Sequence, residues 1–253
     1  MCAIIGWAGE VEKELVSQLF LSAENCGPHS AGMCYKDGTG LTVFKKAVSP
    51  SHFVKRYQPE IELASYADRG FGHVRWATHG RIIDKNAHPF ESENTWFGHN
   101  GIINNYAKFG KFEVDSECLG PMIENKDIYP AFGSVGLIWM DKTSQEMFIY
   151  KCGQSLSCWT FWPDTKAPLT LVASRDYILA PLNGVACRRN DFIEGAAYRV
   201  DPNGITEVWR DKNSEIADTT VYPSCSSSEW TEEDLEEFRR AMADELPEGY
   251  QGG

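Results

Sequence analysis

Short apolar runs, closed off by glycine, proline or aspartate, recur along almost the whole chain and constrain its fold more than any other feature. Such runs, rich in branched and aromatic residues, read as strands. Residues 3–9, 33–35, 41–44, 71–76 and 95–99 fit the pattern, with Asp37-Gly38-Thr39-Gly40 as the turn between the second and third. Further runs follow at 134–140, 146–151, 160–162, 169–174, 196–200 and 207–209. Helical spacing is plain over 12–23, where Leu15, Leu19 and Phe20 share a side, and again near the C-terminal end. Ser174-Arg175-Asp176-Tyr177 leads into a short helical or turn segment and reads as framework, and Trp159, Phe161 and Trp162 read as core packing. Many strands with few helices predict an α+β fold of two packed sheets flanked by helices. The 253 residues suit one large domain or two small ones, and a hydrophobic content of 42% supports a sizeable core.

Chemistry enters at the second residue. Methionine aminopeptidases remove an initiator Met when the next side chain is small, and Cys2 is small enough. Loss of Met1 would leave one residue with both a thiol and a free α-amine. With ordinary pKa values of about 8.5 for the thiol and about 7.7–8.0 for the amine, that residue carries its own nucleophile and its own base.

Polar blocks downstream suit an amino-acid amide. They read Gly72-His73-Val74-Arg75-Trp76-Ala77-Thr78-His79-Gly80, then Asn86-Ala87-His88-Pro89, then His99-Asn100-Gly101-Ile102-Ile103, then Asp115-Ser116-Glu117. Arg75 offers a planar fork for a carboxylate, and Asp115 an acceptor for an ammonium. Asn100 and Gly101 supply a side-chain amide and a backbone N–H, the makings of an oxyanion hole. These residues are expected at strand ends and in the loops that follow, where sites tend to be built.

Together with Cys2-Ala3-Ile4-Ile5-Gly6, the blocks resemble those of class II glutamine amidotransferases, within the N-terminal nucleophile hydrolases, and most of all the glutaminase domain of glucosamine-6-phosphate synthase. The resemblance covers residues 2 to about 200. It implies a four-layer αββα sandwich, a Cys2 nucleophile, and an oxyanion hole of Asn100 and Gly101. It further implies that Arg75 holds the substrate carboxylate, Asp115 its amine, and Thr78 with His79 the rest of the pocket, with Trp76 on a loop that closes over glutamine. His73, His88 and His99 are framework groups in this reading. The sequence departs from the family where Cys26 replaces an arginine and where the stretch between Asn100 and Asp115 is shortened.

Rival readings use the same residues. A Cys–His pair with His79 or His99 as base competes with the α-amine. A metal site is disfavoured, because no C-x₂-C pair or H-E-x-x-H helix occurs, and no cofactor is expected. The net charge of −12 argues against nucleic-acid or anionic-membrane partners. No apolar run reaches the ~18 residues of a membrane span. Irregularly spaced cysteines without a secretory signal point to a reducing, cytoplasmic setting.

The domain is expected over 2–210, followed over 211–253 by a polar linker and an acidic amphipathic helix. There, Thr231-Glu232-Glu233-Asp234 reads as a capping box, Leu235, Phe238, Met242 and Leu246 recur at helical spacing, and Pro247 with Gly249 ends the run. That helix can dock on its own domain or on a partner. Residues beyond about 210 are too few for an acceptor domain. The expected function is therefore a stand-alone glutaminase converting L-glutamine to glutamate and ammonia through a Cys2 thioester, for a separate ammonia-accepting synthetase. The alternatives are an amidohydrolase for another γ-glutamyl compound, or a non-catalytic module that binds glutamine or a partner.

Overall fold

The computed structural model describes residues 2–128, 131, 133–164 and 166–211; the linker and amphipathic helix expected over 211–253 lie outside them, save Asp211. In chain order the elements are β1 (Ala3–Ala8), α1 (Lys13–Ala23), β2 (Ser30–Lys36), β3 (Leu41–Lys46), α2 (Pro50–Arg56), α3 (Gln58–Ser65) and β4 (Arg69–Arg75). Then come β5 (Phe90–Glu91), β6 (Thr95–Ile103), α4 (Leu119–Asn125), β7 (Gly133–Asp141), β8 (Met147–Cys152), β9 (Ser157–Phe161) and β10 (Leu169–Ala173). The last are β11 (Cys187–Arg189), β12 (Ala196–Asp201) and β13 (Gly204–Arg210).

Among the described residues the strands form a seven-stranded sheet, β11-β9-β10-β1-β4-β2-β3, and a six-stranded sheet, β13-β12-β8-β7-β6-β5. Helices α1 to α3 cover the outside of the first sheet and α4 packs on the outside of the second, which makes the four-layer αββα sandwich expected. β1 shows why its sequence is apolar throughout. Ile5 and Trp7 face the helices, Ile4 and Ala8 face the second sheet, and both sets are fully buried. A strand covered on both faces loses the polar alternation of an exposed one. Between the sheets, Ile4, Phe71 and Val172 meet Ile138, Met147 and Ile149.

Several elements differ from the sequence reading. In α1 the buried stripe is Val16, Leu19, Phe20 and Ala23, so Leu15 sits only at its edge. Helices α2 and α3 have no counterpart in the periodicity of the sequence, although Ser49 caps α2 by accepting the His52 N–H and Pro50 opens it. Both are short, and their proline-rich junctions resemble loops in sequence. β6 runs on to Ile103, so Asn100 and Gly101 lie inside a strand rather than in the loop after it. Of the three aromatics assigned to the core, Phe161 is buried, Trp159 is half-buried with its indole N–H on Asp176, and Trp162 is exposed beneath Arg188. Trp162 follows the last residue of β9.

Candidate active site

Cys2 directly precedes β1, the central strand of the first sheet, and the register of β1 against β4 pairs Ala3 with Val74. That register carries Cys2 to Arg75 and Trp76 at the end of β4. The Cys2 Sγ accepts the Trp76 N–H at 3.3 Å and reaches the Trp76 carbonyl oxygen at 3.5 Å. Burial pushes the Cys2 thiol above its ordinary range, while the Trp76 N–H and the Arg75 guanidinium pull it back.

Arg75 is buried, and its fork is held from behind by the loop it precedes. Nη1 donates to the Arg81 carbonyl at 3.3 Å and Nη2 to the His79 carbonyl. The loop is tied in turn by Glu113, whose Oε1 accepts from Arg81 Nε at 3.0 Å and Asn86 Nδ2 at 2.8 Å. These two donors hold the Glu113 carboxyl down at about 2. The Asn86 of the Asn-Ala-His-Pro block is therefore a loop anchor. Thr78 and His79 are half-buried, with Thr78 Oγ1 3.3 Å from His79 Nδ1 and the His79 ring beside Tyr106.

On the second sheet, Asn100 is buried and donates from Nδ2 to Ser174 Oγ at 3.0 Å. Gly101 adopts φ +145°, and a Cβ there would overlap the Ser134 carbonyl oxygen, so the place accepts no other residue without rearrangement. The connection after β6 doubles back so that buried Asp115 accepts the Ile103 N–H at 2.9 Å.

His99 Nδ1 lies 2.9 Å from the Ser116 hydroxyl and Nε2 lies 3.4 Å from the Ser134 carbonyl. A carbonyl can only accept, so Nε2 carries the proton and Ser116 donates to Nδ1. His73 donates from Nε2 to the His99 carbonyl at 2.8 Å and stacks on His88 at 3.9 Å between ring centroids. Burial lowers all three, His73 to about 3. Among the described residues neither His79 nor His99 hydrogen-bonds the Cys2 thiol, and no group of His, Cys, Asp or Glu is placed to hold a metal ion.

Two residues at the site carried no functional signal in the sequence. His29 Nδ1 accepts the Ala77 N–H at 2.9 Å, and its ring lies 5.4 Å from that of Trp76, so it holds the loop against which Cys2 rests. Burial and then Arg75 lower the His29 pKa, which keeps Nδ1 free to accept. Ser174 joins Ile4 to Asn100. Both contacts span long sequence separations: His29 lies just after the Cys26 that departs from the family, and Ser174 opens the stretch read as framework, so neither block by itself discloses the residue it reaches.

No protein-family model matches the chain. The glutamine–fructose-6-phosphate aminotransferase (isomerizing) of Helicobacter pylori is 29% identical over 176 residues, 59% of this chain and 29% of that protein. The protein of the same name from Fusobacterium nucleatum is 36% identical over 115 residues, 44% of this chain and 18% of that protein. The chain thus spans less than a third of the length of these relatives. Among solved structures, the glutamine phosphoribosylpyrophosphate amidotransferase of B. subtilis, complexed with ADP and GMP, superposes with a TM-score of 0.63 at 18% identity, covering 82% of this chain and 49% of that one. A structure described as the allosteric regulatory enzyme of purine biosynthesis superposes with a TM-score of 0.64 at 22% identity, covering 82% and 48%. At those identities the superpositions speak for the fold. The sequence relatives, the motif blocks and the superpositions agree: the chain resembles class II glutamine amidotransferase domains and has the fold of the N-terminal nucleophile hydrolases.

Proposed function

We propose that this domain is a glutaminase that hydrolyses the side-chain amide of L-glutamine, with Cys2 as nucleophile. The observation that carries the reading is the register of β1 against β4. It sets a cysteine at the head of one strand beside a buried arginine at the end of its neighbour, with Asn100 joined to the same strand through Ser174. Once Met1 is removed, the α-amine of Cys2 takes the thiol proton and Sγ attacks the amide carbon. Asn100 Nδ2 and the Gly101 N–H receive the oxyanion. Collapse breaks the C–N bond, the proton passes to the leaving nitrogen, and ammonia departs from a γ-glutamyl thioester. Water then attacks the thioester, the C–S bond breaks, and glutamate leaves with the thiol restored. Arg75 holds the substrate carboxylate and Asp115 its ammonium, while Thr78 and His79 line the pocket and Trp76 closes over it. The ammonia is assigned to an acceptor enzyme outside the described residues, on a separate synthetase.

The test is glutamate release from L-glutamine by protein whose intact mass shows Met1 gone. Release that disappears in Cys2→Ala sustains the reading. Release that persists in Cys2→Ala, or absence of turnover with L-glutamine and with the acceptor synthetase present, overturns it in favour of another γ-glutamyl substrate or a binding module.

A further inference from the structure

Ser174 follows the last residue of β10, and its side chain lies between the two sheets with no exposure. Its N–H donates to the Ile4 carbonyl at 3.0 Å, and its Oγ accepts the Ile4 N–H at 2.9 Å. The same Oγ accepts Asn100 Nδ2 at 3.0 Å. One hydroxyl oxygen therefore couples the strand that begins beside Cys2 to the side chain on β6 assigned to the oxyanion. A primary amide has two N–H groups fixed in one plane. Binding one of them fixes the direction of the other and decides which end of the amide is the donor. Without the acceptor, the Asn100 side chain could turn its carbonyl oxygen toward the developing negative charge, which would raise the barrier.

We propose that Ser174 is a positioning residue: its hydroxyl, anchored on Ile4, orients the Asn100 amide so that its second N–H faces the oxyanion formed at Cys2. This rests on the glutaminase reading, since it presupposes an oxyanion at that place. A serine that only satisfied the buried Ile4 N–H would serve stability equally well, so the test has to separate orientation from folding.

The experiment is a double-mutant cycle of Ser174→Ala with Asn100→Ala, reading kcat and KM for glutamate release, with thermal unfolding recorded beside it. Misplacing a catalytic group by about 1 Å can cost roughly 10²-fold in rate. Ser174→Ala is therefore expected to lower kcat by roughly 10- to 10²-fold with KM nearly unchanged, and Ser174→Thr, which keeps the oxygen, to restore most of it. In the Asn100→Ala background the same change is expected to alter kcat by less than about twofold, the scatter of independent sites. An equal loss on both backgrounds overturns the proposal, because a stability effect does not depend on the Asn100 amide. Should Ser174→Ala not fold, Ser174→Cys, with a weaker acceptor of similar size, replaces it in the cycle. If the wild type shows no turnover at all, the glutaminase reading fails, and the side-chain amide proton resonances of Asn100 judge the orientation by themselves. Their displacement in the Ser174 variant upholds the tether, and unmoved resonances overturn it.

Discussion

The Sγ of Cys2 and the backbone N–H of Trp76 lie 3.3 Å apart, joined across the paired ends of β1 and β4. Burial outweighs this hydrogen bond and keeps the thiol in its protonated form. The proposed nucleophile is thus at rest in the chain that still carries Met1. Alkylation by iodoacetamide, followed at the peptide containing Cys2, is expected to accelerate only above the ordinary thiol range of about 8.5. A midpoint below that value would contradict a resting thiol dominated by burial.

Arg75 is predicted to govern substrate affinity. Arg75→Lys keeps the charge but cannot both face a carboxylate bidentately and donate to the His79 and Arg81 carbonyls. A charge-assisted hydrogen bond is worth about 1.5–3 kcal/mol, so KM for glutamine should rise roughly 10- to 10²-fold with a smaller change in kcat. Steady-state kinetics over a wide glutamine range checks the split.

Gly101→Ala tests the backbone at the site. The added Cβ meets the Ser134 carbonyl at φ +145°, so the β6–β7 pairing must shift. The left-handed backbone alone costs a residue with a Cβ about 1–3 kcal/mol, and the clash with the Ser134 carbonyl adds to it. Urea denaturation is expected to show that loss, and glutamate release should fall at least roughly 10²-fold, as when an oxyanion donor is lost.

His73 and His88 give the fold a built-in acid sensitivity. Both are buried and neutral, with depressed pKa values, and among the described residues neither ring nitrogen of His88 has a hydrogen-bond partner. Below about pH 6.5 the unfolded chain binds protons that the folded one refuses, so stability is intact above that pH and declines as pH falls toward the folded value, about 3 for His73. Each histidine contributes a slope of about 1.4 kcal/mol per pH unit within that window. His88→Phe keeps an aromatic ring against His73 and breaks no hydrogen bond. Urea melts between pH 7 and 5 should therefore show a shallower decline, by about that slope, and an unchanged slope would refute the assignment.

The blocks around Arg75, Asn100 and Asp115 are legible because each concentrates polar groups in a few adjacent residues, and their order along the chain matches that of the family they resemble. β1 and the buried side of α1 were legible from apolar periodicity, to within one residue of rotation. Less visible were α2 and α3, whose length leaves little periodicity to read, and the continuation of β6 through Asn100 and Gly101, which look like a turn in isolation.

What the sequence by itself determined is the inventory: a cysteine at the second position, a forked cation, an amide next to a glycine, a carboxylate, and enough strand-forming runs for two sheets. Local chemistry suffices for that, because motif identity and hydrophobic period are properties of neighbouring residues. Only the tertiary structure decided how the pieces meet. The β1–β4 register places Cys2 against Trp76, His29 holds Ala77, and Ser174 reaches Asn100 from the other sheet. Those contacts link residues far apart in the chain, and they follow from strand register and from two sheets packed face to face, which side-chain burial sets cooperatively over the whole domain.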